Sequence, residues 1–508
     1  MPLTLLLLTL LFWLPFGFLS GVTGDGWIYF MQTDEGNIFA SASATRLFLP
    51  VVWVLTGVVA PGSFAGMNIV LLLLLFGKSW LIYRLARRLS GSAPFAFGAA
   101  VVYLCLPVDT GIFYMGALAI HFVVFCYLLA VDLLLTYWQG GRIGVLIPLV
   151  IAQLFAVGTY EPTYPFILLT PLILVALEKR ISAKVIKTAI LWYIVPGLYF
   201  MWYIGIMVTF PRAAQYQLEV AQVDRSIDAM LSSLLNIYRR HFIDGWAVSV
   251  DTPLFVILAA AAALIVFLLC RSLQRPTARF HPLHWIGIGL AVILVGVVLY
   301  LPTGIRDDTI RTFYFSGIGA ALVISAAAWW ISRQNRLTFS GIIAVGVALG
   351  CLTLLEQHAD HVDLSETQQA VFTQFVELLP AVQPNTGIVI VDHSADWYLA
   401  TLLEAPMYPE YIVPALYGDY SVRALWCGAD QVGTEDGAWC RFAPDQFTGY
   451  SLRSFFMVTP YDALIVVDYD GNEFTVAQTI PVPGDYNPEA RIIRGSPNER
   501  VRRLFSNP

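Results

Sequence analysis

Long apolar runs separated by short polar segments fill the first 355 residues of this 508-residue chain. A run of about 20 apolar residues has the length that crosses a bilayer as a helix. The run at 47–60 is too short to cross alone and is interpreted as a re-entrant or interfacial piece, with a twelfth crossing as the alternative. The pattern predicts about eleven spanning helices, at 3–22, 64–83, 94–108, 112–137, 143–159, 163–177, 188–210, 252–270, 283–301, 312–331 and 337–355.

The pattern changes after residue 355. A segment with helical apolar spacing, ETQQAVFTQFVELL, is followed by a Pro- and Gly-containing turn and then by the buried-strand run GIVIV. Later come the strand-like runs ALIVVDY and EFTVAQTI, joined by an Asp470-Gly471 hairpin turn. We therefore predict a multi-spanning α-helical membrane domain over 1–355 and a small α/β domain over 356–508.

Composition and net charge narrow the classes of partner. Hydrophobic residues make up 58% of the chain and charged residues 13%, which a soluble globular protein of this size would not tolerate. The lipid bilayer is therefore one partner. The formal net charge is −6, and basic residues cluster only in short inter-helix loops. Because nucleic-acid binding needs clustered cations, we expect no nucleic-acid partner.

Basic residues distinguish the two sides of the membrane. The inter-helix loops form two sets on opposite sides of the membrane, and one set is rich in Lys and Arg. The basic residues of the other set are only Arg46, Arg306, Arg311 and four Arg between 211 and 251. By the positive-inside rule, the N-terminus is cytoplasmic and the C-terminal domain is outside a plasma membrane. Lys78 is interpreted as lying near the cytoplasmic end of its span. The basic-rich loops contain Arg84, Arg87, Arg88, Arg142, Lys179, Arg180, Lys184, Lys187, Arg271, Arg275, Arg279, Arg333 and Arg336.

Polar residues on the predicted outer face lie close to the bilayer boundary. The loop at 24–46 contains Asp25, Asp34 and Glu35 and ends with Arg46. Ionisable groups at this boundary are functional candidates, although any inter-helix loop contains some polar residues. Short outer turns add Asp109 in LPVDTG, Tyr160 and Glu161 in GTYEPTY, and Arg306 and Arg311 in LPTGIRDDTIR.

Two of the outer positions also have structural interpretations. Glu161 precedes Pro162 and is suited to capping the following helix. A helical-looking segment within the 211–251 loop ends in Arg239, Arg240 and His241, a cationic cluster that suits phosphate groups. The alternative for this cluster is anchoring to lipid headgroups together with compensation of the helix dipole.

Glycosyl transfer needs both residue types found on this face. A carboxylate accepts the proton of the acceptor, and cations stabilise the charge that a phosphate leaving group acquires. A carboxylate pair would also hold a divalent cation, but no spacing here is diagnostic of a metal site. The carboxylate would come from Asp25 or from the Asp34–Glu35 pair. The cations would be Arg306 and Arg311, together with either Arg46 or the pair Arg239 and Arg240. Glu161 and Asp109 would line the acceptor side.

The six cysteines fall into two groups. Cys427 and Cys440 are the pair in the predicted outer domain, and an oxidising exterior permits a disulfide between them. A zinc site is disfavoured because neither a CxxC motif nor a His pair accompanies them. The other four lie within or at the ends of spans, where Cys behaves as a small apolar residue: Cys105, Cys126, Cys270 and Cys351.

The layout of residues 1–355 resembles the lipid-linked-sugar glycosyltransferases of the GT-C class. The resemblance rests on a first span, an acidic first outer loop, and the segments NIVLLLLLFGKSWLIYRLARRL, FGAAVVYLCLPVDTGIFY, GTYEPTYPFILLTPL and RDDTIRTFYFSG. It implies a polyprenyl-phosphate sugar as donor and a catalytic Asp or Glu in the first outer loop. Asp25 in GDGW and the Asp34–Glu35 pair both match such an acid. Asp25 is followed by Gly26 where some relatives have a second acid, so the resemblance does not imply a metal.

Two functions remain open from the sequence. The first is a membrane glycosyltransferase, inverting or retaining, that moves a sugar from polyprenyl phosphate to a glycan, lipid or protein acceptor on the outer face. The second is a non-catalytic scaffold or surface-assembly protein that acts through 356–508. A lipid-sized groove beside Asp25 is expected for the enzyme and not for the scaffold. A transporter is disfavoured because the spans offer only Asp132, with no paired partner.

Aromatic residues of the C-terminal domain are relevant to the second function. They would form either a contact surface for carbohydrate or protein, or ordinary core, and core is favoured for most of them. These residues are Trp397, Tyr398, Tyr408, Tyr411, Tyr417, Tyr420 and Trp426.

Overall fold

The computed structural model describes most residues of the chain. Only the backbone of Asp25 is described, and two candidate site residues, Asp109 and Arg311, lie outside the described residues. The residues outside the description are 19, 22–24, 37–45, 109, 211–225, 248–251, 274–280, 307–311, 334, 395–408, 436–437, 451–455, 483–484 and 496–508.

Apolar runs of the sequence form helices throughout the N-terminal two thirds of the chain. The helices are α1 Pro2–Leu11, α2 Asp25–Asp34, α3 Pro50–Val59, α4 Ala65–Ser90, α5 Ala93–Leu104, α6 Leu118–Gly140, α7 Leu146–Thr159, α8 Tyr164–Leu169, α9 Pro171–Glu178, α10 Ala183–Thr209, α11 Ile227–Phe242, α12 Pro253–Ser272, α13 Pro282–Val297, α14 Phe313–Ile331, α15 Arg336–Leu378 and α16 Pro409–Tyr417.

The predicted spans correspond to these helices. Among the described residues, 7 helical segments are long and apolar enough to cross a membrane, and further apolar helices of 10–17 residues accompany them. Each predicted span overlaps one of these helices, and the short run at 47–60 forms α3. The chain is therefore a multi-pass helical membrane protein with a C-terminal α/β region, and the predicted fold class is confirmed.

Two compact units make up the chain. One long helix, α15, contributes residues to both. No Gly or Pro interrupts the sequence from Cys351 to Leu379, so the predicted last span and the predicted helix at 366–379 form one helix. The first unit consists of Met1–Gly17, Ala42–Val52 and Val70–Ala359, and the second of Phe18–Ser41, Trp53–Ile69 and Asp360–Pro508.

Small residues allow close helix packing in the first unit. α14 packs against α13 and α5, and α6 packs against α7. A Cβ added to Gly319 on α14 would lie 2.4 Å from the carbonyl oxygen of Gly289 on α13. Only glycine fits at such a crossing, where two helix backbones approach closely.

Two four-stranded sheets form the strand-containing part of the second unit. In the first sheet the order is β2-β1-β7-β8, with β1 parallel to β2 and β7, and with β8 antiparallel to β7. In the second sheet the order is β3-β4-β5-β6. The strands are β1 Gly387–Asp392, β2 Arg423–Gly428, β3 Val432–Gly433, β4 Cys440–Phe442, β5 Gln446–Tyr450, β6 Phe456–Pro460, β7 Leu464–Tyr469 and β8 Phe474–Val476.

A disulfide joins the two sheets. It links Cys427 on β2 to Cys440 on β4, the pairing expected from the sequence, with the Cα atoms 6.1 Å apart. Both residues lie in a core that also contains Leu425, Phe447 and Met457. The disulfide therefore lies inside the hydrophobic core of the second unit.

The predicted 24–46 loop begins with a helix instead. α2 buries Trp27 and Phe30, and the Trp27 indole nitrogen donates to Gln368 Oε1 at 3.3 Å. The Trp27 ring also packs edge-on against Phe372, with ring centroids 6.1 Å apart. These apolar contacts within the second unit order a segment whose acidic residues suggested a loop.

Candidate functional site

The three first-loop acids lie on or beside α2, in the second unit. Asp25 is the first residue of α2, Asp34 is its last, and exposed Glu35 follows. Nine residues of helix place the backbones of Asp25 and Asp34 about 14 Å apart. Asp25 and Asp34 therefore do not form one carboxylate cluster, whereas Asp34 and Glu35 are neighbours.

Asp34 has a defined environment. The Tyr420 hydroxyl donates to Asp34 Oδ2 at 2.5 Å. A cavity of about 270 Å³ lies beside Asp34 within the second unit. Its lining combines α2 with the α3–α4 connection: Phe30, Thr33, Asp34, Val54, Thr56, Gly57, Val58, Ala60, Pro61, Gly62, Ser63 and Met67.

A second polar site forms in the first unit around Arg46 and Glu161. Arg46 Nε donates to Glu161 Oε1 and Arg46 Nη2 to Glu161 Oε2, both at 3.0 Å. The Arg46 guanidinium lies 4.8 Å from the Tyr160 ring centroid. The structure thus brings together three residues that the sequence assigned to substrate binding. Glu161 binds Arg46, which is a role different from the helix-capping alternative.

Local packing positions this Arg46–Glu161 pair. The backbone N–H of Phe48 donates to the Gly158 carbonyl at 3.0 Å. Phe48 follows Arg46 by two residues and Gly158 precedes Glu161 by three, so this bond joins the two segments that contain the pair. A Cβ added to Gly158 would lie 2.4 Å from the Phe48 ring. Three tyrosines of the same unit lie near Glu161: Tyr164, Tyr199 and Tyr203. Carboxylate, guanidinium and phenol groups together suit a polyhydroxylated ligand.

The cationic cluster at the end of α11 is weaker than expected. Arg239 pairs with Asp244 at 3.0 Å. Arg240 donates to the Val108 carbonyl at 2.9 Å and covers the Phe313 ring. His241 is buried, and burial lowers its pKa to about 4, so the ring is neutral at physiological pH. The expectation that His241 adds positive charge is therefore wrong.

Arg306 is the remaining described candidate. It is half-buried in the turn after α13, and its backbone N–H donates to the Thr303 carbonyl at 3.4 Å. Its predicted partner Arg311 lies outside the described residues. Among the described residues, no group of three or more His, Cys, Asp or Glu side chains is arranged to hold a metal ion.

A buried pair of basic residues was missed by the sequence interpretation. Lys78 lies in the middle of α4, not near one of its ends as the sequence suggested, and is 2% exposed. Its Nζ lies 2.6 Å from Nδ1 of His121 on α6. The ring centroids of Tyr103 and Tyr314 are 5.5 Å and 6.0 Å from Nζ. A cavity of about 30 Å³ borders all four side chains.

An apolar groove of about 520 Å³ lies on the same helix faces as this Lys78–His121 site. Ile82 on α4 is one helical turn beyond Lys78, and Ile318 on α14 is one turn beyond Tyr314. The groove is lined almost entirely by aliphatic and aromatic side chains of α4, α6, α8, α9, α13 and α14. Polar site and apolar groove therefore follow one another along α4 and α14.

Asp132 is not isolated, as the sequence interpretation assumed. Arg84 Nη2 lies 2.9 Å from Asp132 Oδ2, and Arg88 Nη1 lies 2.8 Å from Oδ1. Arg88 also donates to the Thr136 hydroxyl at 2.9 Å. Residues four apart on α4 share one face, so both guanidinium groups reach the same carboxylate.

Comparison with solved structures finds a likeness to ArnT from Cupriavidus metallidurans. With the crystal structure bound to undecaprenyl phosphate, the TM-score is 0.39 at 14% identity, over 84% of this chain and 89% of that chain. With the apo crystal structure, the TM-score is 0.37 at 14% identity, over 80% of this chain and 84% of that chain. No protein-family model and no curated protein matches the sequence.

Proposed function

We propose that this protein is a membrane glycosyltransferase that moves a sugar from a polyprenyl-phosphate carrier to an acceptor on the outer face of the plasma membrane. The observation that carries the proposal is the Lys78–His121 site at one end of an apolar groove. The GT-C-like layout of the sequence supports the same class of substrate. The N-terminus is proposed to be cytoplasmic and the C-terminal domain extracytoplasmic, from the distribution of basic loops.

The groove and the basic pair match the two ends of such a lipid. The groove volume of about 520 Å³ is within the usual range for a small-molecule site, and its lining suits isoprenoid units. A basic residue inside a span is costly and is a functional candidate by default. An ammonium group has three N–H donors, one of which His121 Nδ1 can accept. The cavity beside them has room for about one phosphoryl oxygen.

The proposed reaction is a displacement at the anomeric carbon of the sugar. An acceptor hydroxyl or amine forms the new bond as the bond to the carrier phosphate breaks, and the acceptor proton passes to a carboxylate. Asp25, Asp34 and Glu35 remain the proposed sources of that carboxylate. Arg306 and Arg311, with Arg46 or Arg239 and Arg240, remain proposed phosphate ligands. Glu161 and Asp109 remain proposed acceptor contacts.

Lipid binding and transfer by a Lys78→Met variant test the proposal. Purified protein in nanodiscs would be offered radiolabelled polyprenyl phosphate, polyprenol, and polyprenyl-phosphate sugars. Loss of hydrogen bonds to a charged group costs about 1.5–3 kcal/mol, so Lys78→Met should weaken binding of the phosphate about 10- to 100-fold. Binding of polyprenol should not change. Lys187→Met, which removes an exposed lysine of α10, is the matched control.

The outcomes separate the two functions left open by the sequence. Preference for polyprenyl phosphate over polyprenol, lost in Lys78→Met and kept in Lys187→Met, supports a lipid-phosphate substrate. Sugar transfer by the wild-type protein then identifies the enzyme. Equal binding of polyprenol and polyprenyl phosphate by the wild-type protein would contradict the proposal and favour a scaffold.

A further inference from the structure

We infer that Tyr420 of the C-terminal domain is a positioning residue for Asp34, so that the domain completes an acid-containing acceptor site. The inference rests on the proposed glycosyl transfer and assigns the acceptor's reacting hydroxyl or amine to the cavity beside Asp34. Three features of the second unit carry it: the hydrogen bond to Asp34, the turn that holds Tyr420, and the cavity itself.

The hydrogen bond fixes the orientation of the carboxylate. The Tyr420 hydroxyl donates to Oδ2 of Asp34, and both side chains are half-buried. The other oxygen, Oδ1, lies toward Gly62, since a Cβ added to Gly62 would be 3.8 Å from it. The phenol thus holds one oxygen, and the other lies on the side of Gly62, which lines the cavity together with Asp34.

The turn that holds Tyr420 is closed by side-chain and backbone hydrogen bonds. Gly418 has a φ of 64° and donates to the Pro414 carbonyl at 2.9 Å, which ends α16. Asp419 Oδ1 accepts from the backbone N–H of Ser421 at 2.9 Å and from its hydroxyl at 2.7 Å. The backbone N–H of Asn385 donates to the same hydroxyl at 2.8 Å. These bonds tie the turn to the start of β1 and limit the positions open to Tyr420.

The cavity suits a small polar group beside an apolar wall. Its volume of about 270 Å³ is just below the usual range for small-molecule sites, which fits a single sugar ring or a group of that size. Thr33, Asp34 and Ser63 provide oxygen atoms, whereas Phe30 and Met67 provide apolar surface. A ring with a hydroxyl or amine directed at Asp34 matches this lining.

A purely structural role for the hydrogen bond is less consistent with the packing. Trp27 already attaches α2 to α15 through Gln368 and Phe372. α16 also packs on α2. Since α2 is held by these contacts, the bond at its last residue is not needed to anchor the helix. Its main consequence is the orientation of the Asp34 carboxylate.

Kinetics of a Tyr420→Phe variant in nanodiscs test the inference. Misplacing a reacting group by about 1 Å costs on the order of 100-fold in rate, so kcat should fall about 10- to 100-fold. KM for the polyprenyl-phosphate sugar should not change. Tyr417→Phe is the matched control, because it removes a phenol of the same segment whose hydroxyl donates to the Leu379 carbonyl at 2.8 Å. It should retain kcat within about threefold.

A double variant distinguishes positioning from a structural effect. Groups that act as a unit are not additive, so Asp34→Asn with Tyr420→Phe should be no slower than Asp34→Asn alone. If kcat of Tyr420→Phe equals that of the wild-type protein, or if the two losses multiply, the inference is wrong while the proposed function stands. Absence of transfer by a wild-type protein that binds the donor sugar lipid would instead refute the proposed function, and the inference with it.

Discussion

Replacing Glu161 tests whether the Arg46–Glu161 pair stabilises the first unit. In Glu161→Gln one carboxylate oxygen becomes an NH2 group that cannot accept from Arg46, so one of the two hydrogen bonds at 3.0 Å is lost and the other loses its ionic component. Arg46 keeps its contact with the Tyr160 ring, which contributes about 0.5–1 kcal/mol. We therefore expect destabilisation without unfolding.

The expected magnitude follows from the exposure of the pair. The Arg46 and Glu161 side chains are 30% and 21% exposed. Hydrogen bonds to charged groups contribute about 1.5–3 kcal/mol, whereas fully exposed ion pairs contribute about 0.2–1 kcal/mol. The contribution of a bidentate pair that is mostly shielded from solvent should lie between these two ranges. A coupling free energy of about 1–2 kcal/mol is expected.

A double-mutant cycle on denaturant-induced unfolding in detergent measures this coupling. The cycle uses Glu161→Gln, Arg46→Gln and the double variant. The matched control is Arg239→Gln with Asp244→Asn, because these partners also lie 3.0 Å apart but are 67% and 41% exposed. The control pair should couple by less than about 1 kcal/mol and should weaken further in high salt. Equal coupling in the two cycles would refute the argument from exposure.

Two further predictions concern packing and pH. Gly289→Ala should lower the free energy of unfolding by about 1–3 kcal/mol, because its Cβ would lie 2.7 Å from the Gly319 carbonyl oxygen. Gly287→Ala on the same helix is the control: its Cβ meets no atom within 4 Å, so this variant should be neutral or slightly stabilising. Similar thermal unfolding of the two variants would contradict the prediction. His241 has a folded-state pKa of about 4, below the unfolded value of about 6.5. The unfolded chain therefore binds more protons than the folded protein between these two pH values. The free energy of unfolding should fall by up to roughly 3 kcal/mol as the pH drops from about 6.5 to 4. His241→Gln should show a shallower slope in denaturation measured across this pH range, and an unchanged slope would be inconsistent with a buried neutral ring.

The length of the apolar runs predicted the membrane helices, because a helix needs about 20 apolar residues to cross a bilayer. The ends of the helices were harder to predict. The segment from Glu356 to Asp363 is polar, yet it continues α15 because helix formation depends on backbone compatibility as well as apolarity. α2 shows the converse. Its acidic residues suggested a loop, whereas Trp27 and Phe30 bury enough apolar surface to order it. Local polarity alone therefore does not locate element ends.

The sequence offered candidate site residues by type but did not predict their partners. Arg46 and Glu161 are 115 residues apart, and Asp34 and Tyr420 are 386 apart, so neither pairing leaves a local pattern. Tyr420 was one of several aromatics interpreted as either a contact surface or core, because sequence does not distinguish a phenol that packs from one that donates to a distant carboxylate. By contrast, Lys78 was visible as an ionisable residue inside a predicted span. The missing information was its contact with His121.

The ionisable groups within the helices of the first unit have two kinds of partner. Asp132 is enclosed by Arg84 and Arg88, so opposite charges meet within one network. Lys78 instead contacts His121, with the rings of Tyr103 and Tyr314 beside its ammonium group. His121 Nδ1 can accept from the Lys78 ammonium only when this imidazole is neutral, so the pair carries the single positive charge of Lys78. The proposed lipid-phosphate substrate rests on this charge and on its position on the same helix faces as the apolar groove.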